Sequence, residues 1–312
     1  VAWLWEPFLP FGSLAVLDGD PGVGKSLLTL DLAARLSTGR QMPGGGPPPR
    51  PVAGRVPTVF VNAEDSVRQT LVPRLLAAGG APAGCVVLGG LGEGGANGLP
   101  VRFPDDLPAL AVLLRRLPGA FVVLDPVMAL LPREVAANHD QSVREVLTPL
   151  ARLAAETRAC VLLVRHLTKQ AGRALYRGCG SIGIVGACRT GLVVGRHPDD
   201  PARRVLAMTK SNLGPVGRSL GYRVVERPGR TARWPLGPGD AHPQTGEKVT
   251  VPTAFDRVIP AGPVVAWDGP TPVTADDLAS AKPDDASAVG QAAAWLKALL
   301  ATGPVAATEV ER

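Results

Sequence analysis

The chain of 312 residues contains little cysteine, and its four cysteines do not form the closely spaced pairs that bind zinc. None is spaced C-x-x-C from another, and most lie within apolar runs: Cys85, Cys160, Cys179 and Cys188. Buried, reduced thiols therefore fit the sequence better than disulfides or a metal site. This favours a cytoplasmic protein over a secreted, disulfide-stabilised one.

The sequence also lacks the patterns typical of a membrane-spanning segment and of a secretory leader. The longest apolar stretches, such as FVVLDPVMALLP, are broken by Asp and Pro well before the length that crosses a bilayer. The opening VAWLWEPFLP has no basic leader and no small-residue cleavage site. We expect no membrane partner and no signal peptide. The chain lacks an initiator Met, so we expect a fragment of a longer protein.

The composition, with 46% apolar and 19% charged residues, is ordinary for a globular protein. Acidic residues are fewer than basic residues in most of the chain. Residues 1–240 hold 28 Lys and Arg against 18 Asp and Glu, whereas 241–312 hold 5 against 9. A basic body of this kind fits a polyanionic partner such as nucleic acid. A solvated basic surface explains the same charge equally well.

What the chain does contain is a phosphate-binding loop, GDPGVGKS at 19–26, between the apolar run SLAVLD and LLTLDLAARL. Its spacing is G-x-x-x-x-G-K-[ST] between a predicted strand and a predicted helix. Inward-pointing backbone N–H groups and the helix N-terminus form an anion cradle. Lys25 is predicted to reach the β and γ phosphates, and Ser26 to ligate Mg²⁺. The predicted nucleotide-binding residues are Gly19, Asp20, Pro21, Gly22, Val23, Gly24, Lys25, Ser26 and Leu27.

An ATPase also needs a second carboxylate beside the metal and a base that orients the attacking water. Asp125 ends the apolar strand FVVLD, the usual position of the acid that holds Mg²⁺ through water. Glu64 and Asp65 follow the strand in VFVNAEDS, and we predict Glu64 as the base. Two alternatives stay open. Asp125 can form a turn before Pro, and both acids after the second strand can cap the next helix.

A further strand, in ACVLLVRHLTK, ends in polar residues at the expected phosphate edge. His166 is predicted to lie beside the γ-phosphate and to report its loss to the following loop; a structural histidine is the alternative. That loop is basic and contains glycine, with Lys169, Arg173 and Arg177 near Tyr176. These residues are predicted to contact DNA phosphates. A solvated basic loop explains them nearly as well.

Strand and helix patterns alternate over the first 165 residues. Strands are predicted near 13–18, 58–63, 85–89, 121–125 and 160–165, and helices near 25–38, 66–78, 105–117 and 140–157. Near-continuous apolar strands imply burial on both faces. We therefore predict an α/β fold with a mostly parallel twisted sheet flanked by helices. Shorter segments after residue 180, RTGLVV, RVLAMTK and GYRVVE, are predicted as antiparallel strands added at one edge.

Composition divides the chain into three parts. Residues 1–226 are predicted to form the ATPase domain, whose aromatic opening is expected to pack on its own domain rather than on a neighbour. Pro, Gly, Asp and Thr dominate 227–288, which we interpret as a linker or loosely packed segment with a possible short strand at PVVAW. Residues 289–312 are predicted to begin a truncated helical domain, either a winged helix or a plain helical hairpin.

The order of these motifs resembles a known family. The segments GDPGVGKS, FVNAED, VVLDP, VLLVRHLTK, GSIGIVGACRTGLVV and LAMTKSNLGP together resemble the RecA-like P-loop ATPases of the RepA-type hexameric replicative helicase group. The resemblance covers roughly residues 1–226. It implies a RecA-like fold and a homo-oligomeric ring, with ATP and Mg²⁺ at each subunit interface and single-stranded DNA in the central channel.

Residue roles are carried over from the same resemblance. It implies that Lys25 binds phosphate and that Ser26 and Asp125 lie on the metal side. It also implies that Glu64 is the catalytic glutamate and His166 the γ-phosphate sensor. The loop 167–180 takes the DNA-facing position. Lys210, in TKSNLG, resembles the lysine that such rings insert into the neighbouring subunit's site.

The chain departs from the family pattern at two positions. Relatives of the DnaB and RadA type carry Arg two residues after that lysine, where this chain has Asn212. An arginine finger would have to come from elsewhere, such as Arg189 or Arg218. Arg165 stands where many relatives have His or a small residue, and no role for it follows from the sequence.

Three functions are compatible with these residues. A motor ATPase that moves along DNA as a helicase is the leading hypothesis. A nucleotide-switched DNA-binding or assembly ATPase of the RecA, RadA or KaiC type, without unwinding, uses the same core residues. A P-loop kinase for a small molecule is disfavoured, because Glu64 and the Lys210 turn suit attack by water and ring assembly.

Overall fold

A computed structural model describes residues 1–45, 56–89, 101–132, 140–167, 182–236, 247–248, 250, 253–280 and 295. Its strands are, in chain order, β1 (Trp3–Trp5), β2 (Leu9–Pro10), β3 (Ser13–Gly19), β4 (Thr58–Asn62), β5 (Cys85–Leu88), β6 (Phe121–Asp125), β7 (Cys160–His166), β8 (Thr190–His197), β9 (Asp200–Ser211), β10 (Ser219–Arg227), β11 (Arg230–Leu236), β12 (Thr253–Ile259) and β13 (Gly262–Thr271). Its α-helices are α1 (Lys25–Thr38), α2 (Val72–Ala77), α3 (Leu107–Arg116), α4 (Asp140–Thr157), α5 (Ile182–Ala187) and α6 (Ala275–Ser280). Shorter helical turns lie at Val67–Leu71, Pro82–Gly84 and Val127–Leu130.

Nine of these strands form one sheet in the order β13-β10-β9-β8-β3-β7-β6-β4-β5. The strands from β8 to β5 in this order all pair in parallel. The other three, β9, β10 and β13, are antiparallel additions at one side. This confirms the predicted fold class, an α/β fold with a mostly parallel sheet, flanking helices and antiparallel strands at one edge.

Apolar side chains on both faces place the parallel strands at the centre of the domain. Along β3, Leu17 belongs to the core beneath α1, and Val16 belongs to the core beneath α3 and α4. Both side chains are fully buried. Such a strand is stable only where helices cover both faces of the sheet. Because these strands pair in parallel, the carboxyl ends of β3, β4, β6 and β7 lie at one edge of the sheet.

The first segment after residue 180 differs from its prediction as an antiparallel strand. β8 pairs in parallel with β3, from Ala15 opposite Thr190 to Gly19 opposite Val194. The short helix α5 connects β7 to β8 and packs against α4 and β3. Because this helix returns the chain across one face of the sheet, β8 runs in the same direction as β7. The reversal of direction begins one strand later, at β9.

The predicted linker 227–288 contains more regular structure than its composition indicated. β13 pairs with β10 from Arg227 opposite Gly262 to Ser219 opposite Thr271, and it is the outermost strand of the sheet. The Trp267 indole N–H on this strand donates to the Asp31 carboxylate of α1 at 2.8 Å. Pro and Gly are tolerated here because an edge strand needs fewer ladder hydrogen bonds. The described sheet therefore extends beyond the predicted ATPase domain.

The aromatic opening packs on its own domain, as expected. Leu4, Trp5 and Phe8 are at most 3% exposed, and the Trp5 indole N–H donates to the carbonyl oxygen of Pro43 at 2.9 Å. The predicted C-terminal helical domain lies outside the described residues apart from position 295. In the ranges that the structure describes, no helix is long and apolar enough to cross a bilayer.

Candidate nucleotide-binding site

The phosphate loop joins the end of β3 to the start of α1. Gly22, with φ 76°, and Gly24, with φ 91°, have left-handed conformations that other residues rarely adopt. A Cβ atom at Gly19 would lie 2.7 Å from the carbonyl oxygen of Val194, so a larger residue would displace the loop. The first N–H groups of α1 have no acceptor within the helix, and together with the helix dipole they favour an anion at this end.

Lys25 places its ammonium group at the centre of this edge. The residue is 5% exposed, and its Nζ donates to the carbonyl oxygens of Gly19 at 2.8 Å and Asp20 at 2.9 Å. Burial lowers the pKa of Lys25, and the nearby carboxylates of Asp125 and other acids oppose that shift. The loop therefore holds a positive charge where a phosphate chain would lie.

Ser26 and Asp125, the two residues predicted on the metal side, contact each other directly, and their binding of a metal stays a prediction. The Ser26 hydroxyl donates to Asp125 Oδ2 at 2.8 Å. Burial raises the pKa of Asp125 to about 6, although the Ser26 hydrogen bond and the Lys25 charge act in the opposite direction. Within the described ranges, no cluster of three His, Cys, Asp or Glu side chains is placed to hold a metal. A hydroxyl and a carboxylate fit Mg²⁺, which keeps its other positions for water and phosphate oxygens.

Glu64 follows β4 at the same edge and is exposed to solvent. Its backbone N–H and that of Asp65 both donate to the Asn62 side-chain oxygen, at 3.4 and 3.3 Å. Burial lowers the pKa of Lys25, and the Glu64 carboxylate is among the acids that oppose that shift. The following helical turn is capped by Ser66, whose hydroxyl accepts the N–H of Gln69 at 3.3 Å. Ser66 thus takes the capping position that we considered for the two acids.

His166 ends β7 directly beside the phosphate loop. It lies opposite Gly19 in the parallel register, and its Nδ1 is 3.2 Å from Lys25 Nζ. Partial burial and the Lys25 ammonium lower the pKa of His166, whereas the Glu64 carboxylate raises it. Nδ1 can accept a hydrogen bond from the Lys25 ammonium group only when the imidazole is neutral. A lowered pKa favours the neutral imidazole and is therefore consistent with this contact.

Lys210 lies at the other end of the sheet. It pairs with Gly191, which precedes the segment of β8 that runs alongside the phosphate loop. Its Nζ donates to the carbonyl oxygens of Val185 at 2.8 Å and Cys188 at 2.9 Å, at the end of α5. Gly191 is opposite Val16, so about three residues of strand, or roughly 10 Å, separate this position from Gly19. Lys210 is not part of its own chain's phosphate site, and its predicted action on a neighbour stays a prediction.

A buried ion pair beneath the site was not foreseen. The Arg165 guanidinium donates to Asp18 Oδ1 at 2.7 Å and to Oδ2 at 2.8 Å, and these side chains are 1% and 2% exposed. The two residues are opposite each other on β7 and β3. The sequence did contain an indication of this pair, because each of the two apolar strands contains one charged residue and the two charges have opposite sign. The pair joins the strand that carries the phosphate loop to the strand that ends in His166.

The predicted DNA-contacting residues Lys169, Arg173 and Arg177 lie outside the described residues. Their role stays a prediction. The structure brings together four of the predicted functional groups at one edge, namely the Lys25 ammonium, the pair of Ser26 and Asp125, and the side chain of His166, with Glu64 beside them.

A glycine loop that links a parallel strand to a helix, with a lysine and a serine opening that helix, defines the class of P-loop nucleotide-binding proteins. Within that class, the chain belongs to a family of AAA domains, AAA_25, whose model matches residues 1–172. This match and the similarity to RadA described below together support a RecA-like P-loop ATPase family.

Similar proteins include two bacterial relatives. The chain is 27% identical over 161 residues to the DNA repair protein RadA of Halalkalibacterium halodurans, and 25% identical over 163 residues to that of Listeria monocytogenes. Each match covers 51% of this chain and 29% of the relative, so the chain spans less than a third of these proteins. A crystal structure of the RadB recombinase is similar with a TM-score of 0.47 and 16% identity, over 70% of this chain and 89% of that one.

Proposed function

We propose that this chain binds ATP with Mg²⁺ in the phosphate loop and hydrolyses it to ADP and phosphate. The observation that carries the proposal is the meeting of different chemical groups at one sheet edge. An ammonium group, a hydroxyl–carboxylate pair, an exposed carboxylate and an imidazole lie around the loop: Lys25, Ser26 with Asp125, Glu64 and His166. P-loop enzymes use an ammonium group, a hydroxyl–carboxylate pair for the metal and a further carboxylate for the attacking water in phosphoryl transfer.

Each group has a separate task in this proposal. Lys25 stabilises negative charge on the phosphate oxygens as the bond to the leaving group breaks. The Glu64 carboxylate orients the attacking water and accepts its proton. Ser26 and Asp125 hold Mg²⁺, which supplies further positive charge to the phosphate oxygens when it is bound. Catalysis of this kind depends on positioning and electrostatics rather than on a covalent intermediate.

His166 is proposed to sense the terminal phosphate. Its Nδ1 is 3.2 Å from Lys25 Nζ. Loss of the negative charge of the terminal phosphate near Lys25 would therefore change the electrostatic environment of His166, at the end of β7. The next backbone N–H, of Leu167, donates to the carbonyl oxygen of Gly19 at 3.2 Å. Release of the terminal phosphate would therefore change the surroundings of the phosphate loop at Gly19 and of the chain at Leu167, which this hydrogen bond joins.

We further propose that copies of the chain form a ring, hexameric in the RepA-type group it resembles, and act on single-stranded DNA as a helicase. Three observations support this. The two similar bacterial proteins are named for DNA repair. Residues 1–240 carry an excess of basic residues. Lys210 cannot serve its own phosphate loop because it lies at the opposite end of the sheet, which fits a contact with a neighbouring copy.

A nucleotide-switched DNA-binding or assembly ATPase without unwinding activity is the second candidate. The similarity to RadA favours it, because those relatives are named as DNA repair proteins and not as helicases. A cytoplasmic location is part of both proposals, and the described cysteines fit it because they are free thiols.

The test is ATP hydrolysis with and without single-stranded DNA, followed by strand displacement on a forked duplex. Hydrolysis that DNA stimulates, with unwinding, supports the motor, and stimulation without unwinding supports the switch. The Lys25→Ala variant is expected to lose hydrolysis by about a hundred-fold or more, because a group that stabilises developing charge is removed. Lys248→Ala, at an exposed lysine, is the matched control and should keep full activity. Hydrolysis that Lys25→Ala leaves intact would contradict the proposal.

A further inference from the structure

Arg204 lies beside the phosphate loop, and no ion pair joins it to an acid among the residues that the structure describes. Its side chain is on the α1 face of β9, and its Nε is 3.9 Å from the position that a Cβ atom at Gly24 would occupy. That Nε is buried and has no hydrogen-bond partner among the described residues. Burial lowers the pKa of Arg204, and the neighbouring charge of Arg196 lowers it further, although Tyr222 opposes the shift. The surroundings of the Arg204 side chain thus disfavour its positive charge.

Two neighbouring arginines, one on β9 and one on β10, are paired with acids. Arg203 Nε donates to Asp268 Oδ2 at 2.9 Å, and Arg223 Nη2 donates to Asp200 Oδ2 at 2.7 Å. Buried donors nearly always have acceptors, because removing them from water without one is unfavourable. Arg204 as a whole is only partly buried and lies beside an anion-binding loop, which suits contact with a ligand.

The strand order places Arg204 on the far side of the phosphate loop from the reacting groups. β3 carries the loop, β6 with Asp125 lies two strands away on one side, and β9 with Arg204 lies two strands away on the other. With about 4.8 Å between strands, each is roughly 10 Å from β3. A nucleoside triphosphate with its terminal phosphoryl group towards β6 consequently has its sugar and base above β8 and β9.

The strands beside Arg204 also extend past the loop. Gly19, the first residue of the loop, is opposite Val194, and β8 continues to Arg196, the cross-strand partner of Arg204. Arg204 is followed two residues later by Leu206, which belongs to the core beneath α1. The guanidinium group is therefore on the nucleotide side of the sheet, just beyond the level of the phosphates.

We propose that Arg204 binds the base and ribose end of the nucleotide, with its planar guanidinium group against the face of the base. This rests on the proposed binding of ATP in the phosphate loop. A guanidinium group is delocalised and weakly hydrated, and it stacks on aromatic rings in a way that an ammonium group does not. Arg204 thus distinguishes a nucleotide from bare polyphosphate, whereas Lys25 and the loop N–H groups bind both.

The experiment measures binding of two ligands by calorimetry in the presence of Mg²⁺: a non-hydrolysable ATP analogue and inorganic tripolyphosphate. The typical strength of a guanidinium–ring contact predicts about 3- to 30-fold weaker binding of the ATP analogue to Arg204→Ala and to Arg204→Lys. Binding of tripolyphosphate should change less than about two-fold, which also shows that the phosphate loop is intact. Arg203→Ala is the matched control, because it removes the same side chain from the opposite face of the strand.

Each result decides the proposal. Loss of affinity for the ATP analogue alone, in both variants but not in Arg203→Ala, supports it. An equal loss for both ligands, full affinity in Arg204→Lys, or no change in either variant overturns it while leaving nucleotide binding in the loop established. Wild-type protein that binds neither ligand overturns the proposed function, and this inference with it.

Discussion

The buried ion pair between Asp18 and Arg165 allows a quantitative prediction about stability. The two side chains are 2% and 1% exposed, lie on adjacent central strands and are joined by two hydrogen bonds of 2.7 and 2.8 Å. Replacing one partner leaves the other charge in the sheet interior without its counter-ion. Such a loss destabilises a protein by about 3–5 kcal/mol. Since a typical domain is stable by only about 5–15 kcal/mol, Arg165→Leu should remove a large part of the free energy of unfolding.

The assay is urea denaturation at pH 7, followed by circular dichroism. A double variant, Asp18→Leu with Arg165→Leu, replaces both charges by apolar groups and is expected to be within about 2 kcal/mol of wild type and more stable than either single variant. Arg223→Leu is the control, because its partner Asp200 and the arginine itself are 37% and 40% exposed. That variant should lose less than about 1 kcal/mol.

Two results would refute this reasoning. If the double variant lost as much stability as the two single variants together, the charges would not be compensating each other. If Arg165→Leu lost no more than the Arg223→Leu control, the buried position of the pair would have no energetic consequence. Either outcome would also remove the basis for regarding this pair as the link between the strand of the phosphate loop and the strand of His166.

Three further predictions follow from individual contacts. Mixing Lys210→Ala subunits with Lys25→Ala subunits should restore part of the ATPase activity if sites are shared between copies, and no recovery at any ratio would count against shared sites. Trp267→Phe removes the donor to the Asp31 carboxylate and should lower the free energy of unfolding by about 1–3 kcal/mol in urea denaturation; an unchanged midpoint would show that this contact does not hold the edge strand. Gly24→Ala, at φ 91°, strains the loop by about 1–3 kcal/mol and should weaken nucleotide binding measured by calorimetry.

The central sheet could be predicted from sequence because its information is local. Runs such as FVVL and CVLLV are apolar at every position, and this pattern is typical of strands that are covered on both faces. The observed strands Phe121–Asp125 and Cys160–His166 match the predicted ones within one residue. The phosphate loop could be predicted for the same reason, since its glycine spacing is complete within eight residues.

The edge of the sheet could not be predicted in this way. PVVAW is a short apolar segment among Pro and Gly, and its pairing depends on β10, which lies about forty residues earlier in the chain. The same holds for the parallel direction of β8, which is decided by the path of α5 across the sheet. Composition describes a segment alone, whereas an edge strand is defined by its partner.

The side chains around the site show the same division. Lys25, Ser26 and Asp125 follow from motif and strand position, and the hydrogen bond between the last two joins residues 99 positions apart. The pairing of Asp18 with Arg165 and the unpaired Nε of Arg204 depend on which strands are neighbours, and no local pattern encodes that. Glu64 follows β4 and influences the pKa of Lys25, and its role as the base stays a prediction.

The measurement that tests the account most directly is ATP turnover by Glu64→Gln, with nucleotide affinity measured on the same preparation. The amide keeps the shape of the side chain but cannot accept the proton of water, so turnover should fall by about a hundred-fold or more while the ATP affinity stays within about three-fold of wild type. Glu145→Gln, at an exposed position on α4, serves as the matched control and should behave as wild type. Wild-type turnover in Glu64→Gln would contradict the assignment of the base, and with it the proposed hydrolytic site.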